Sequence, residues 1–494
     1  MQMDLAVPAE RMFRRILKPF LRIQRYKLAL GAFLIPLMIR SIPEILAGPY
    51  PVGWDIIAYY IPNSLDIASG NMNVWGIITS PPVMYAIVVP AYVLTRVSLV
   101  WIFKILGPLL YGFLGWSIFT FCQRRLQWSS QKAFYAVLFI TSYFVVMRIA
   151  WDAFQAELGL ALLLLAESIV GKTGSTRSQI SKASLLSLAV LSNQLVGVLV
   201  VGTQLAKLVR SSIWARPRLA SLQFPPVALF LLILYATMQT PLAPGLAVAG
   251  PGFSLASLLD TTSFLLYAYM FVIPLLLVGL GLRARSVFAP WVLVCCAGMI
   301  LSVLPGHVFQ DIGYRWALLL SIPVLIVAFE GYSRLQATRV SGFKNWARLV
   351  RVVVIVGLAS SATLFAVLPA QSALPFYTTF PQYLPSSMVQ SSLPASDYPS
   401  AVDAMLWINA HTDSDSAIIA QQAFYGWARA YLSPRKQIVN CYLASPTSAM
   451  GEVGPYSHVF TVWWSNGAGW FPGSFPVGAK PVVTFGDLVV YQYR

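Results

Sequence analysis

The chain has 494 residues, of which 57% are hydrophobic and 10% are charged, against about one quarter charged in a typical soluble domain. This composition excludes an ordinary soluble enzyme, a disordered chain and a coiled coil, because each of these needs more ionic surface. The net charge of +17 suits either nucleic-acid binding or basic loops on the cytoplasmic side of a membrane. The positions of the charges decide between the two.

The N-terminal region is basic and precedes the first apolar segment. Residues 1–27 carry seven Lys or Arg against two acidic residues, which predicts a cytoplasmic N-terminus. A first span follows over 28–46, with Arg40 and Glu44 near its far end, where charges can reach the outer interface. The polar and aromatic stretch 47–80 is too long for a turn, and loops of this size are usually functional.

The segment after this loop, SPPVMYAIVVPAYVLT, is short and contains three prolines, which predicts an interfacial or re-entrant helix over 80–95. Later apolar segments predict about eleven spans, and a Ser192-Asn193-Gln194 turn divides 183–206 into two short helices. With this count every loop rich in Lys or Arg lies on the cytoplasmic side, whereas a span over 80–95 would invert every later loop. Because the basic residues are spread over these loops, nucleic-acid binding loses its support.

The region 369–494 differs from the rest, since the long apolar runs stop and Ser, Pro and Asp become frequent. The stretch 407–432 reads as a helix, a strand and a second helix, and 480–494 reads as two strands about a Gly-Asp turn. We therefore expect a polytopic, all-α membrane protein with a small extracytoplasmic α/β domain. Its predicted parts are a cytoplasmic N-terminus (1–27), a membrane domain (28–368, with a first outer loop and juxtamembrane helix over 47–97) and the C-terminal domain (369–494).

Several polar side chains fall at the predicted outer ends of the spans, where ionisable groups tend to line cavities. Asp55 is the candidate general base, and Asp152 is a second carboxylate that can orient an acceptor or a divalent metal. Arg148 and Arg315 are candidates for holding a phosphate through bidentate contacts. The remaining candidates for the substrate site are Tyr59, Trp151, His307, Gln310 and Asp311.

Each of these residues also has a structural interpretation. Arg315 can be an interfacial anchor, Trp151 and Asp152 can be an aromatic belt followed by a helix cap, and His307 can be a loop residue. The sequence contains no Walker A motif, no GxSxG and no His/Cys cluster with zinc spacing, so no cofactor is indicated, and a divalent metal stays an open alternative.

Four segments together resemble the GT-C glycosyltransferases. They are the early aspartate of GWDIIAYY, the Pro-Pro start of SPPVMYAIVVP, RIAWD followed by AFQAELGLALLLLAES, and GYRWALLLSIPVLIVAFEG. A soluble outer domain opening with WINAHTDSDSAIIA completes the pattern. The resemblance covers nearly the whole chain and is closest to the polyprenyl-phosphate-sugar-dependent type, which includes ArnT and the protein mannosyltransferases.

This resemblance implies an inverting hexosyltransferase in the cell membrane. The sugar would pass from a polyprenyl- or dolichyl-phosphate donor to a glycan, lipid or protein acceptor on the extracytoplasmic face. It also implies Asp55 as the base and Arg148 or Arg315 as the phosphate contact. Two alternatives are open: a transporter or flippase for a lipid-linked precursor, and a non-catalytic membrane assembly protein.

Overall fold

A computed structural model describes most of the chain, in thirteen ranges. They are 6–169, 176–210, 224–239, 255–279, 282–302, 313–337, 344–367, 393, 395–413, 415–433, 436–442, 445–465 and 476–493. Within them only the backbone is described at 6–23, 152, 207–210, 256–257, 260, 282–286, 336–337, 344–347, 366–367, 395 and 442.

Helices dominate the described chain up to residue 367, as the long apolar runs of the sequence predict. They are α1 (Ala6–Leu46), a π-helix (Ile56–Tyr60), α2 (Ile61–Ala68), α3 (Val74–Thr79), α4 (Pro82–Thr95), α5 (Leu99–Arg124), α6 (Ser130–Thr141), α7 (Phe144–Asp152), α8 (Phe154–Ser168), α9 (Thr176–Ser192), α10 (Gln194–Arg210), α11 (Phe224–Gln239), α12 (Leu255–Tyr269), α13 (Ile273–Gly279), α14 (Leu282–Leu301), α15 (Gly313–Leu319), α16 (Ser321–Ala337) and α17 (Lys344–Val367). The prediction of a mostly helical chain is confirmed.

The apolar helices of the described chain fall into three kinds, which are single helices long enough to span a bilayer, bent pairs, and shorter helices. Among the described residues, three helices are long and apolar enough to cross a bilayer alone, in α1, α5 and α17, and up to six spans result if each bent pair counts as one. Four shorter apolar helices, α4, α10, α11 and part of α14, accompany them. The described chain therefore has the apolar helices of a membrane protein, while the count of eleven stays a prediction.

Three segments predicted as single helices are bent pairs. The bends are 69° between α6 and α7, 73° between α12 and α13, and 42° between α15 and α16. A break inside a bilayer leaves carbonyl groups that need donors, because no water is present there. Tyrosine hydroxyls supply these donors at or beside the breaks: Tyr111 to the Thr141 carbonyl, Tyr143 to the Ala268 carbonyl and Tyr269 to the Ala317 carbonyl. Hydropathy cannot reveal these breaks, since the apolar run continues through them.

The first outer loop is more ordered than its composition suggested. Residues 47–80, expected as a loop, contain the π-helix, α2 and α3. Asn73 caps α3 by accepting a hydrogen bond from the Gly76 amide at 2.7 Å. The helix expected over 80–95 is present as α4, and Pro82 stands in its first turn, where the missing N–H costs nothing.

The predicted Ser192–Gln194 turn is also present, because α9 ends at Ser192 and α10 begins at Gln194. Asn193 caps α10 by accepting a hydrogen bond from the Val196 amide at 3.1 Å. The Gln194 side chain donates to the carbonyl of Thr79 at 2.8 Å, which attaches this turn to the C-terminal end of α3. The turn therefore contacts the first outer loop.

Two charges of α1, which were expected to reach the outer interface, are buried among neighbouring helices. Arg40 is fully buried and Glu44 is 4% exposed. They form an ion pair of 2.8 Å, and Lys104 of α5 approaches the second Glu44 oxygen at 2.9 Å. The expectation was wrong because it considered α1 alone, whereas neighbouring helices supply both a counter-charge and hydrogen-bond acceptors.

The C-terminal region contains the predicted α/β elements. They are α18 (Tyr398–His411), β1 (Ser416–Gln421), α19 (Gln422–Tyr431), β2 (Gln437–Tyr442), β3 (His458–Trp464), β4 (Lys480–Phe485) and β5 (Leu488–Gln492). In the described part of this region the strands form one sheet in the order β2-β1-β3-β5-β4, with β1 parallel to both of its neighbours. The hairpin of β4 and β5 turns at Gly486, whose φ of 53° favours glycine. The predicted boundary at residue 369 lies outside the described ranges.

Candidate active site at the first outer loop

Asp55 stands directly before the π-helix, and the two residues before it have distinctive features of their own. The residue two positions earlier, Gly53, has φ of 110°, a conformation that L side chains rarely adopt. The indole of Trp54 is buried and donates to the carbonyl of Gln422 in the C-terminal domain at 3.3 Å. Asp55 itself is partly exposed, and its side chain makes no cap hydrogen bond to the π-helix. π-Helical turns are rare and often occur at functional sites.

The structure brings Asp55 together with two other predicted residues. Both Asp55 and Tyr59 lie within electrostatic range of the Arg315 guanidinium, although Arg315 is far away in sequence. Arg315 is exposed and donates from Nε to the Tyr314 hydroxyl at 3.1 Å. Tyr59 is 42% exposed and packs edge-on against Trp54, with 5.2 Å between ring centroids. A carboxylate and a phenol therefore lie within electrostatic range of one cation, and the phenol and the cation are exposed.

The second group of predicted residues lies on α7. Arg148 is buried, and α7 contacts α15, which carries Arg315. Trp151 is 1% exposed and packs edge-on against Phe365 at 5.6 Å, so it belongs to the packed interior and not to an open cleft. Asp152 is the last residue of α7, and its side chain lies outside the description.

The remaining predicted residues, His307, Gln310 and Asp311, lie outside the described ranges. Within those ranges no three His, Cys, Asp or Glu side chains gather in a way that can hold a metal ion. The positions of Asp55 and Arg315 therefore carry the geometry of the site.

Tyr85 is a residue of this site that the sequence did not indicate. It is 3% exposed, accepts a hydrogen bond from the Asn63 amide at 3.2 Å and shares another with Gln155. Asp55 and Arg429 are both within electrostatic range of its phenol. Burial raises the pKa of Tyr85 well above the usual range, so the hydroxyl stays protonated. No sequence signal could have found this cluster, because its members come from separate segments.

The C-terminal domain forms one wall of the site through α19. Arg429 of α19 pairs with Asp66 of α2 at 2.8 Å. One turn earlier, Gly426 lies against the π-helix so closely that a Cβ atom there would be 2.7 Å from the Ala58 Cα. The backbone of α19 therefore contacts the backbone that follows Asp55. The π-helix and α2 therefore pack between the membrane helices and this domain.

No family model matches the chain, and no curated protein matches it by sequence. In structure the chain is similar to ArnT from Cupriavidus metallidurans bound to undecaprenyl phosphate, with a TM-score of 0.50, 13% identity, and coverage of 96% of this chain and 98% of that one. It is also similar to the arabinofuranosyltransferase AftD from Mycobacteria, with a TM-score of 0.56 and 14% identity.

The AftD alignment covers 95% of this chain but 40% of AftD, so the chain spans well under half the length of that protein. The ArnT alignment covers almost all of both chains. Together these similarities show that the chain has a GT-C-like fold, as its sequence pattern suggested.

Proposed function

We propose that the protein is an integral membrane glycosyltransferase that moves a sugar from a polyprenyl-phosphate donor to an acceptor on the extracytoplasmic face. The proposal is carried by the GT-C-like fold, together with the position of Asp55 within electrostatic range of Arg315 at the first outer loop. The undecaprenyl phosphate bound in the ArnT structure supports a donor of this class. The topology behind the proposal is the predicted one, with the N-terminus in the cytoplasm and the C-terminal domain outside.

In the proposed reaction Asp55 acts as the general base. The acceptor hydroxyl oxygen attacks the anomeric carbon while its proton passes to the Asp55 carboxylate. The bond between the anomeric carbon and the phosphate oxygen breaks, and polyprenyl phosphate leaves with the electron pair. A single displacement of this kind inverts the anomeric configuration.

The proposed role of Arg315 follows from charge. The leaving phosphate gains negative charge as the bond breaks, and a guanidinium already in place can stabilise it through bidentate hydrogen bonds. Arg315 is exposed, so a phosphate can approach it, and Asp55 lies within electrostatic range of its guanidinium. Arg148 is buried on the neighbouring α7 and is a second candidate contact for the phosphate.

The test uses the full chain purified into lipid nanodiscs. It is incubated with radiolabelled undecaprenyl-phosphate pentoses and hexoses and with a cell-envelope extract as the acceptor source, and released undecaprenyl phosphate is measured. Asp55→Asn keeps the size of the side chain and loses no cap hydrogen bond, so the fold should persist. Loss of a general base lowers the rate by about 10²–10⁴-fold.

The matched control is Asp403→Asn, which removes an exposed carboxylate from α18. It should transfer sugar at the wild-type rate. Near-normal transfer by the folded Asp55→Asn variant would remove Asp55 as the base. If the wild-type chain released no carrier from any donor, the transporter or assembly alternatives would gain.

A further inference from the structure

A cluster of buried charges lies between the two segments that carry the candidate carboxylates. It consists of Arg40 and Glu44 at the end of α1 and Lys104 on α5, and we call it the charge cluster. Arg40 is 0%, Glu44 4% and Lys104 7% exposed. Burying ionisable groups inside a protein is costly even when they are paired, so a buried cluster of this kind calls for an explanation. The charge cluster is not part of the candidate site around Asp55. Its residues also lie outside the sequence motifs that suggested that site.

One side of the charge cluster holds the end of α7. Arg40 donates from Nε to the Ala150 carbonyl at 2.8 Å and from Nη2 to the Trp151 carbonyl at 3.1 Å. The last carbonyls of a helix have no partner within the helix, so Arg40 acts as a cap supplied by another helix. Its guanidinium also lies over the rings of Trp151 and Phe154, at 5.9 and 5.8 Å. These contacts hold the backbone immediately before Asp152.

The other side holds the beginning of the first outer loop. The Lys104 ammonium donates to the Tyr50 carbonyl at 2.8 Å, five residues before Asp55. It also donates to the Glu44 carboxylate at 2.9 Å and to the Glu44 carbonyl at 2.6 Å. An ammonium has three protons, and each one has an acceptor here. Lys104 therefore connects the end of α1 with the segment that leads to the candidate base.

Glu44 joins these two sides, because one of its oxygens pairs with Arg40 and the other with Lys104. Glu157, which is fully buried, adds a further acidic group within electrostatic range of Arg40. Two basic and two acidic side chains are thus close together. Packed hydrophobic residues would be about as stable as such a buried network, so stability alone does not explain it.

We propose that the charge cluster positions the first outer loop and the end of α7 relative to each other, with Lys104 and Arg40 as positioning residues. The catalytic part of this inference rests on the proposed function, since it assumes that Asp55 and Asp152 act on one substrate. The positioning part does not, because it concerns only two backbone segments. The experiment therefore measures both parts separately.

Lys104→Met is the main variant, and hydrogen exchange measured by mass spectrometry is the first readout. Exchange should accelerate about ten-fold or more in segments 50–60 and 144–154, and stay unchanged elsewhere. In the transfer assay kcat should fall by about 10–100-fold with KM within about three-fold, because misplacement by about 1 Å affects the transition state more than binding. Lys104→Arg keeps a cation with several donors, so its effect on both quantities should be clearly smaller than that of Lys104→Met.

The matched control is Lys132→Met. Lys132 also forms a partly buried ion pair, with Glu330 at 2.6 Å, but it lies at the start of α6, away from both segments. Its replacement should change neither exchange in 50–60 and 144–154 nor kcat. Lys104→Gln, which keeps one amide donor, replaces the main variant if Lys104→Met does not accumulate.

Wild-type exchange in both segments of a folded Lys104 variant would overturn the proposal. So would an equal effect of Lys132→Met, which would indicate general destabilisation. A chain that transfers no sugar but shows the expected exchange would retain the positioning role while the proposed function failed.

Discussion

The contact between Gly426 and the π-helix allows a sharp test of how the C-terminal domain acts on the candidate base. Gly426 lies on α19, and a Cβ atom there would be 2.7 Å from the Ala58 Cα, 2.8 Å from the Ala58 nitrogen and 3.0 Å from the Ile57 carbonyl carbon. Every one of these atoms is backbone, so no side chain can rotate away. Gly426→Ala must therefore separate α19 from the segment that follows Asp55.

The size of this displacement follows from van der Waals distances. Carbon atoms pack favourably at about 3.5–4.0 Å, so the two backbones must separate by about 1 Å. Overpacking of this kind costs about 1–3 kcal/mol, part of which the better helix propensity of alanine offsets. A shift of about 1 Å near a reacting group lowers the rate by up to about 10²-fold. We expect a folded protein whose sugar transfer falls by about one to two orders of magnitude.

Gly451→Ala is the matched control in the same domain, because nothing lies within 4 Å of a Cβ atom at that position. Transfer is measured with the undecaprenyl-phosphate donors, and folding is followed by size-exclusion chromatography and thermal unfolding. The control should transfer sugar at the wild-type rate. Equal rates for both folded variants would refute the argument that contact between α19 and the π-helix positions Asp55.

Two further predictions concern the hydroxyl of Tyr85 and the contact between α13 and α16 at Gly331. Tyr85→Phe removes the hydrogen-bond partner of Asn63, which should lower the free energy of unfolding by about 1 kcal/mol, measured by thermal unfolding. Because burial raises the pKa of Tyr85, its phenol is protonated across the pH range of the assay. The pH profile of sugar transfer should therefore have the same shape in Tyr85→Phe as in the wild type. Gly331→Ala would place a Cβ atom 1.9 Å from the Leu275 carbonyl oxygen, and should lower the unfolding temperature strongly by overpacking. Gly357→Ala, with open space around it, should leave that temperature unchanged or raise it.

Local features of the sequence were enough to predict much of the fold. A charged fraction of 10% indicated a membrane protein, and the segments 407–432 and 480–494 indicated α/β elements near the C-terminus, whereas the boundary at residue 369 stays a prediction. The turn at Asn193, the helix over 82–95 and the β4–β5 hairpin could also be predicted. Each depends on hydropathy, proline positions or turn residues within a short window, so no distant partner is needed to recognise it.

Predictions about single charges were less reliable, because a charge depends on what surrounds it. Arg40 and Glu44 looked like interfacial residues when α1 was considered by itself, yet both are buried. Arg40 finds its carbonyl partner 110 residues away, at Ala150. Three predicted spans are also bent, and the tyrosine hydroxyls that satisfy carbonyls at these bends come from other helices.

The candidate site shows the same division. The sequence by itself indicated a membrane protein and predicted a carboxylate in the first outer loop, because burial in lipid and solvation of charges act on each segment separately. Only the tertiary structure decided that Arg315 and Tyr85 stand near Asp55, and that Arg429 of α19 pairs with Asp66 across 363 residues. The physical reason is that ion pairs and hydrogen bonds act over a few ångströms, and the packing of the whole chain sets which groups come that close.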